Sequence, residues 1–443
     1  MASDRIVLSY NQIRRLERDA TVFAGREREA HHVATAFDFE GPVSALALRR
    51  AVQGVIRRHS ALRTTFHREV DGEPYGRVLP AEAPDEVLRE MQLADSALGL
   101  DELTKAEMDR LFDLEGDYKL RGLLVWSGET SARFVLTAEH LVCDGQSFDR
   151  VLAEISAAYN TGRPAGESAP DFFTWAERER MDLAGAGLEA RLAFWRRRLD
   201  PLEAVPEIRL AGMREPARGR ERAACLTLPV TPEVVDDLRR CCAANAASLH
   251  IGVLTALQLA VFATTGRTVV GVVGPVSLPT QEADSAIGWF SNLGVFRTRI
   301  DSGSTSRDLL AAARDTVFDT IDHLIPLPLL VAHLQPGREA GLRWRPWLYL
   351  DTNWWAEDPL PLDGLEVSRV DDTFVPSLRP GVGVWANVNG PAPHLFMQWE
   401  DEAWTEDGAA AFLQAFADCL RLIARLPLAT CAEITALVME GRK

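Results

Sequence analysis

The chain of 443 residues is too long for one ordinary hydrophobic core, so its length predicts two subdomains. A hydrophobic content of 47% and a charged content of 25% are typical of a soluble globular protein. The formal charge of -16 argues against a general nucleic-acid-binding protein.

The N-terminal sequence and the cysteine spacing both predict a cytoplasmic protein. The opening MASDRIVLSYNQ lacks the apolar segment of a signal peptide. The most apolar stretch, residues 249–264, is too short to span a bilayer, so we predict a buried helix there. No metal-ligand or disulfide-framework spacing relates the six cysteines, which are Cys143, Cys225, Cys241, Cys242, Cys419 and Cys431. We therefore expect a reduced setting and no bound metal.

The first half of the chain alternates between short predicted strands and helices. Turn signals at Asp71-Gly72 and Gly128-Glu129 predict two hairpins. In chain order we predict a strand at 5–9, a helix to about 20, a strand at 32–39, a helix at 44–59, strands at 62–70 and 75–79, a helix at 103–112, strands at 120–126 and 132–137, and a helix at 146–158.

The second half repeats this mixture of elements. A long helix is predicted at 172–199, and a Pro/Gly/Arg-rich stretch follows it. Further strands are predicted at 225–228, 268–273, 295–300, 347–350, 383–388 and 394–399, and further helices at 306–322 and 407–425. We place the subdomains at 1–180 and 181–443, with a crossing linker at about 200–222. The predicted fold class is α/β, an α+β sandwich built twice.

The stretch VLTAEHLVCDGQSFDR, Val135–Arg150, has the composition of a functional loop. His140 lies where a predicted strand passes into a loop, and Asp144 and Gly145 follow at a distance of four and five residues. Catalytic side chains are commonly held on loops between rigid elements. A neutral imidazole can accept a proton from an attacking amine or hydroxyl at neutral pH, or it can orient that nucleophile. We therefore predict that His140 is the central functional residue.

These residues resemble the condensation domains of nonribosomal peptide synthetases. Condensation domains form a superfamily that is related to chloramphenicol acetyltransferase. The family signature HHxxxDG stands here as EHLVCDG, Glu139–Gly145. Several other family stretches occur in the same order, although the first of them lacks its usual tryptophan. They are Leu8–Leu16, Arg58–Phe66 (RHxxLRTxF), Asp171–Trp175, Ile287–Arg297 (IGxFxN…R) and His323–Val331.

The resemblance implies a V-shaped pseudo-dimer of two acetyltransferase-like subdomains, with the histidine in a tunnel between them. It also implies that a donor acyl group arrives as a pantetheine thioester on an acyl or peptidyl carrier protein, while an acceptor enters from the opposite side. The sequence contains no adenylation domain and no carrier-type serine motif. We therefore expect a free-standing, monomeric enzyme that receives its phosphopantetheine arm from a carrier in trans and binds no cofactor of its own.

The resemblance assigns function to the second histidine of the pair, which is His140. Glu139 replaces the first, and because strand side chains alternate, we expect it to point away from the tunnel and to support the loop. An ion pair between Asp144 and Arg297 is expected to hold the loop. We expect Gly145 to provide a backbone conformation or a close approach that a side chain would block. Its amide is a further candidate for stabilising an oxyanion.

Other residues have a structural and a functional interpretation. Asn292 is either a hydrogen-bond donor in the tunnel or a turn residue, and Arg63 is expected to be a structural pairing partner. We assign Trp289 and Ser291, together with Trp354 from a dense group of tryptophans, to substrate binding.

Two features near the motif are interpreted as structural. No Asp-Gly follows the pair His31-His32 at the required spacing, so strand burial is favoured for both. No second histidine is placed to activate Cys143, so a packing role is favoured for this thiol.

The sequence thus predicts a condensation enzyme of specialised-metabolite biosynthesis, such as antibiotic biosynthesis. It would transfer an acyl or aminoacyl group from a carrier-bound thioester to a small-molecule amine or alcohol. Three alternatives stay open: an acyltransferase that uses acyl-CoA, a catalytically silent module that recruits a partner to a carrier-bound intermediate, and an epimerase. We expect neither nucleic acid nor membrane as a partner.

Overall fold

The computed structural model describes residues 5–22, 30–69, 72–163, 169–199, 208–214, 223–276, 286–335, 347–353, 360–370, 381–390 and 392–440. Its helices are α1 Tyr10–Val22, α2 Ala45–Arg58, α3 Leu100–Asp109, α4 Gly145–Thr161, α5 Phe172–Asp182, α6 Gly185–Arg198, α7 Pro232–Ala244, α8 Leu249–Thr265, α9 Ser306–Asp322, α10 Leu327–Leu334, α11 Glu406–Arg425 and α12 Cys431–Glu440. Its strands are β1 His32–Glu40, β2 Thr64–His67, β3 Tyr75–Val78, β4 Leu88–Gln92, β5 Leu120–Trp126, β6 Ser131–Glu139, β7 Ala223–Pro229, β8 Val269–Val276, β9 Asn292–Arg299, β10 Leu348–Asn353, β11 Glu366–Arg369, β12 Val382–Asn387 and β13 His394–Glu400.

The chain divides into two compact units, but the units are not contiguous in sequence. The first contains Met1–Ala184, Ser277–Ser291 and Asp358–Ser377, and the second contains the rest. The first boundary lies a few residues after the predicted one at 180. Two later segments of the chain also belong to the first unit, so the units are not the two contiguous halves that were predicted. The predicted crossing linker at 200–222 lies outside the described residues except for 208–214.

The first unit is built on a five-stranded sheet in the order β11-β1-β6-β5-β4. Strands β5 and β6 form the hairpin that the turn signal at Gly128 predicted. A separate two-stranded hairpin joins β2 and β3. The predicted strand at 5–9 is wrong, because Ile6 makes only an isolated bridge to Gly76 and α1 begins at Tyr10.

Both faces of this sheet are covered by helices, which explains why β6 is buried along almost its whole length. Phe37, Phe134 and Leu136 belong to the large core cluster that also contains residues of α2 and α4. Ala36 and Val135 belong to the smaller cluster on the other face, with residues of α3. Alternate residues of one strand therefore enter different cores, and each fully buried large side chain contributes about 1.5–3 kcal/mol.

The second unit is built on a six-stranded sheet in the order β7-β13-β12-β10-β8-β9. The apolar stretch that begins at Leu249 is the buried helix α8, as predicted, and Ser248 caps it by accepting a hydrogen bond from the amide of Ile251. The single helix predicted at 172–199 is divided into α5 and α6, and Gly185, the first residue of α6, has a positive φ of 54°. Among the described residues no single helix is long and apolar enough to cross a membrane, and the two helix pairs that reach this length together are bent by 107° and 88°.

Candidate active site

The pairing of β1 with β6 places His140 at the end of the first sheet. His32 lies opposite Glu139 in this antiparallel ladder. One residue further on, the amide of His140 donates to the carbonyl oxygen of His31 at 3.1 Å. The amide of Val142 then donates to the carbonyl of Glu139 at 3.1 Å, which closes a tight turn. His140 is therefore the first residue beyond a rigid strand.

Glu139 and His140 differ in their burial and in their contacts. The Glu139 side chain is completely buried, and its carboxylate lies 3.9 Å from Arg15 and 3.7 Å from the His32 ring. On the same side, the Nδ1 atom of His32 lies 2.8 Å from the carbonyl oxygen of Met108 in α3. His140 is half-buried. The glutamate that replaces the first histidine of the motif thus forms part of a buried polar cluster beneath the loop.

The imidazole of His140 contacts two other rings. Its centroid lies 4.5 Å from the ring of His31 and 4.9 Å from the ring of Trp289. The rings of His31 and Trp289 meet edge to face at 6.4 Å. All three residues are half-buried, so the cluster retains access to solvent. The assignment of His31 to strand burial is wrong, whereas His32 is buried as predicted.

Asp144 joins two segments of the first unit that are distant in sequence. One carboxylate oxygen accepts the amide of Ser147 at 3.0 Å and so caps α4. The other accepts the amides of Phe290 and Ser291 at 2.9 and 2.8 Å. The Asp144 amide in turn donates to the carbonyl of Gly288 at 3.1 Å. Burial raises the pKa of the Asp144 carboxyl, and the amide hydrogen bonds oppose this shift.

Arg297 was expected to form an ion pair with Asp144. Arg297 belongs to the second unit, where its guanidinium donates to the carbonyl of Arg198 at 2.9 Å. Asp144 obtains its charge compensation from backbone dipoles within its own unit. The Asp144–Arg297 ion pair stays a prediction, and a buried carboxylate can be satisfied by several amides as well as by a cation.

Gly288 must be a glycine because an aromatic ring occupies the space beside it. A Cβ built at this position would lie 2.1 Å from the Phe172 ring. The backbone of Gly288 exchanges hydrogen bonds with the Ser147 hydroxyl, at 2.9 and 3.1 Å. Phe172 also contacts Trp175 and Phe290 at centroid distances of 5.4 and 5.1 Å. The aromatic segment at the start of α5 therefore packs directly against the segment that holds Asp144.

Helix α1 supports the same loop from another side. The side-chain amide of Gln12 donates to the carbonyl of Leu141 at 2.7 Å, and Gln12 is fully buried. The side-chain amide of Asn11 donates to the carbonyl of Ser291 at 3.2 Å. These contacts give a structural function to the opening motif LSYNQ, since it fixes both segments that meet at Asp144.

Gly145, the first residue of α4, has an open environment. It is exposed, its φ is not positive, and no atom lies within 4 Å of a Cβ built on it. The expectation that Gly145 provides a special backbone conformation is therefore wrong. Its amide and that of Gln146 belong to the first helical turn, where amides have no intrahelical acceptor. The space beside Gly145 is open to an approaching molecule.

The remaining predicted site residues have contacts of their own. Asn292 lies in the second unit, where its side-chain oxygen accepts the amides of Leu293 and Leu327 at 2.9 and 3.3 Å, a turn and helix-start role. Arg63 donates to the carbonyl of Leu79 at 2.6 Å, which supports its structural interpretation. Trp354 lies outside the described residues.

The cysteine of the motif has the properties of a packing residue. Cys143 is fully buried, and burial raises the pKa of its thiol well above the usual value, so the nucleophilic thiolate is disfavoured. Among the described residues, no group of three or more His, Cys, Asp or Glu side chains could hold a metal ion.

Comparison with known proteins adds a family to this geometry. The family model described as Condensation domain matches residues 21–343, which include the whole His140–Asp144 loop and the Gly288–Ser291 segment. The chain belongs to the condensation-domain family. A linear gramicidin synthase protein of Brevibacillus parabrevis is 28% identical over 324 residues, which are 70% of this chain but 4% of that synthase. The chain thus spans a small part of such relatives.

Solved structures support the fold over nearly the whole chain. The condensation domain from the monacolin K polyketide synthase MokA matches with a TM-score of 0.80 at 20% identity, covering 97% of this chain and 99% of that chain. The X-domain from teicoplanin biosynthesis, solved in complex with OxyB, matches with a TM-score of 0.76 at 20% identity, covering 98% of this chain and 96% of that chain. The fold is therefore the chloramphenicol-acetyltransferase-like α/β fold of condensation domains.

Sequence reasoning missed three residues of the condensation-domain site: His31, Arg15 and Gly288. The motif IGWFSN contained Gly288 but gave no reason for it, because Phe172 lies far away in sequence. His31 carried no usable signal, since its contact with His140 depends on the register of β1 against β6. The spacing of four residues between Arg15 and Asp19 on α1 was the local signal of an ion pair, which the structure shows to be buried.

Proposed function

We propose that this condensation domain transfers an acyl or aminoacyl group from a carrier-bound pantetheine thioester to an amine or hydroxyl acceptor. The acceptor attacks the thioester carbonyl, a C–N or C–O bond forms, the C–S bond breaks, and the pantetheine thiol leaves with a proton. The carrier brings the pantetheine arm, and the chain itself holds no resident cofactor in this reaction.

The observation that carries the proposal is the placement of His140 within the HxxxDG loop of the family. Its ring is half-buried and contacts the rings of His31 and Trp289, and its amide donates to the carbonyl of His31, the residue before β1. A side chain fixed in this way needs little reorganisation before it accepts or orients a proton. His140 is thus the residue that takes the proton of the acceptor or positions the acceptor for attack.

Asp144 would serve the reaction indirectly, by holding the loop in position. Gly145 would serve it directly, by leaving space for the substrate. Asp144 holds the turn against Gly288–Ser291 and caps α4, so it fixes the position of the segment that follows His140. Gly145 leaves space at the start of α4, where the helix dipole favours negative charge. An oxyanion formed from the thioester carbonyl would be stabilised by amides in such a position.

Replacement of Gly145 by alanine is expected to lower the transfer rate without lowering stability. The methyl group would meet no protein atom, and alanine in a helix is favoured over glycine by up to about 1 kcal/mol. A substrate that uses the space would be displaced, and a displacement of about 1 Å can cost up to about 100-fold in rate. The measurement is single-turnover kinetics together with the melting temperature.

The matched control for this substitution is Gly390→Ala. Gly390 also has no atom within 4 Å of a built Cβ and lies in a loop of the second unit. Its replacement should leave both rate and melting temperature unchanged. Full activity of Gly145→Ala would show that no substrate group approaches this glycine.

One alternative retains acyl transfer but changes the donor. A coenzyme A thioester carries the same pantetheine arm, so an acyl-CoA-dependent acyltransferase needs no different chemistry at His140. The two functions differ in whether the carrier protein contributes to binding. Competition between a carrier thioester and the corresponding coenzyme A thioester separates them.

A second alternative is a silent recruiting module, and a specific observation favours it. The X-domain of the same fold was solved in complex with a second protein, OxyB. Against this alternative, the present chain retains His140, Asp144 and Gly145 in a well-supported loop. A recruiting module would bind a loaded carrier stably and leave its acyl group in place.

The deciding experiment is intact-mass spectrometry of acyl-loaded carrier protein mixed with the enzyme and a panel of amines and alcohols. Loss of the acyl mass with a matching amide or ester product supports the proposal and reveals the nucleophile class. Transfer from the coenzyme A thioester alone would move the assignment to the first alternative. Carrier binding without transfer to any acceptor would move it to the second.

A further inference from the structure

A second histidine lies directly against His140 although the motif contains only one. The ring centroids of His31 and His140 are 4.5 Å apart with an angle of 34° between the planes, and the two backbones are joined by a hydrogen bond of 3.1 Å. His31 immediately precedes β1, whose register is fixed over nine residue pairs with β6. The contact is thus built into the sheet.

The other side of the His31 ring is occupied by Arg15. Arg15 is buried, with an exposed fraction of 4%, and its guanidinium contacts the Nδ1 atom of His31. The same guanidinium donates to Asp19 at 2.5 Å and lies 3.9 Å from Glu139. Two carboxylates from different elements therefore fix the group that faces His31.

The chemistry of this contact determines the protonation of His31. A guanidinium has five N–H donors and no acceptor, so Nδ1 of His31 must present its lone pair. A neutral ring then carries its proton on Nε2. His31 is therefore held as one neutral tautomer.

We propose that His31, fixed by Arg15, is a positioning residue that sets the plane of the His140 ring and keeps a second positive charge away from it during proton transfer. This inference rests on the proposed acyl transfer. Trp289 also contacts the His140 ring, at a centroid distance of 4.9 Å, so two neighbouring rings restrict its rotation. Within the part of the chain that the structure describes, the charged groups at this arrangement include Arg15, Asp19 and Glu139.

Two substitutions separate the parts of this interaction. His31→Phe keeps a ring against His140 and removes the acceptor for Arg15, whereas His31→Ala removes both. We expect His31→Ala to lower kcat about tenfold or more, with KM for the loaded carrier changed less than about twofold, because a rotated base affects the chemical step. His31→Phe should recover part of this loss.

The matched control is His67→Ala. His67 is also a half-buried histidine of the first unit, and its ring lies 5.7 Å from that of Tyr75 in the hairpin of β2 and β3. Its replacement should leave kcat and KM unchanged. Equal kinetics for His31→Ala and wild type would overturn the inference, and so would an increase in KM with unchanged kcat, which would indicate a substrate contact.

A spectroscopic measurement tests the tautomer without turnover. Nitrogen-15 NMR of histidine-labelled full-length protein, with the His31→Ala spectrum for assignment, should show His31 neutral with its proton on Nε2 throughout the range where an ordinary histidine titrates, near about pH 6.5. Ordinary titration, or a proton on Nδ1, would contradict the arrangement. If wild type transfers no acyl group, the proposed function fails, whereas fully active His31→Ala beside active wild type refutes this inference alone.

Discussion

Replacement of Asp144 by alanine is expected to lower the free energy of unfolding by about 3 kcal/mol or more and to abolish activity with it. The substitution removes the cap of α4 and leaves the buried amides of Phe290 and Ser291 without their acceptor. Each buried donor left unsatisfied costs about 1–3 kcal/mol, and loss of a helix cap costs about 0.5–2 kcal/mol. Chemical denaturation of the purified variant measures the loss.

Two further variants make this prediction specific. Asp144→Asn keeps one acceptor oxygen, so it can retain either the cap or the bonds to 290–291 and should lose roughly half as much stability. Asp171→Ala removes the exposed cap of α5, which accepts the amide of Phe173 at 3.2 Å, and should cost only about 1 kcal/mol. Equal losses for Asp144→Ala and Asp171→Ala would show that the bridge to 290–291 contributes nothing.

The parts of the site that depend on local sequence were predictable. The alternation of apolar residues and the turn at Gly128 predicted the β5–β6 hairpin that carries His140. Strand alternation also predicts that Glu139 and His140 diverge; the structure buries Glu139 completely and His140 by half. These features depend on the chemistry of neighbouring residues, which the sequence displays directly.

The parts that depend on long-range register were not predictable. The contact between His31 and His140 requires that His32 lie opposite Glu139, and a shift of one residue would have separated the two rings. Strand β11 joins the first sheet from a distant part of the chain, and its four residues show no pattern that indicates β1 as a partner. The predicted contiguous halves were wrong for the same reason.

The amide partners of Asp144 were not predicted, for a different physical reason. Sequence reasoning looks for a charged side chain to balance a buried carboxylate, because a sequence does not display the direction of backbone amides. In this protein the 288–291 segment presents consecutive amides to Asp144, and the packing of Phe172 against Gly288 holds that segment in place. The hydrogen-bond partners of the carboxylate are thus backbone amides, whose direction depends on the conformation of this segment.

Replacement of His140 by alanine is expected to lower the rate of acyl transfer by about 100-fold to 10,000-fold while the protein stays folded. The side chain is half-buried and accepts the proton in the proposed reaction, so its loss removes the base but no part of either hydrophobic core of the first unit. Single-turnover transfer from an acyl-loaded carrier gives the rate, and the melting temperature confirms folding. Undiminished turnover would exclude His140 from the chemistry.

His140→Gln decides between the two roles that the imidazole can have. A glutamine amide can hydrogen-bond to an acceptor and hold it in place, but it cannot take up a proton near neutral pH. If His140 acts as a base, the glutamine variant should be as slow as the alanine variant. If His140 only orients the nucleophile, glutamine should restore much of the rate, and the contacts of His31 and Trp289 with this side chain would then serve to aim a hydrogen bond. We expect the first result, because a ring fixed by two neighbouring rings gains most where a proton must be transferred along one direction.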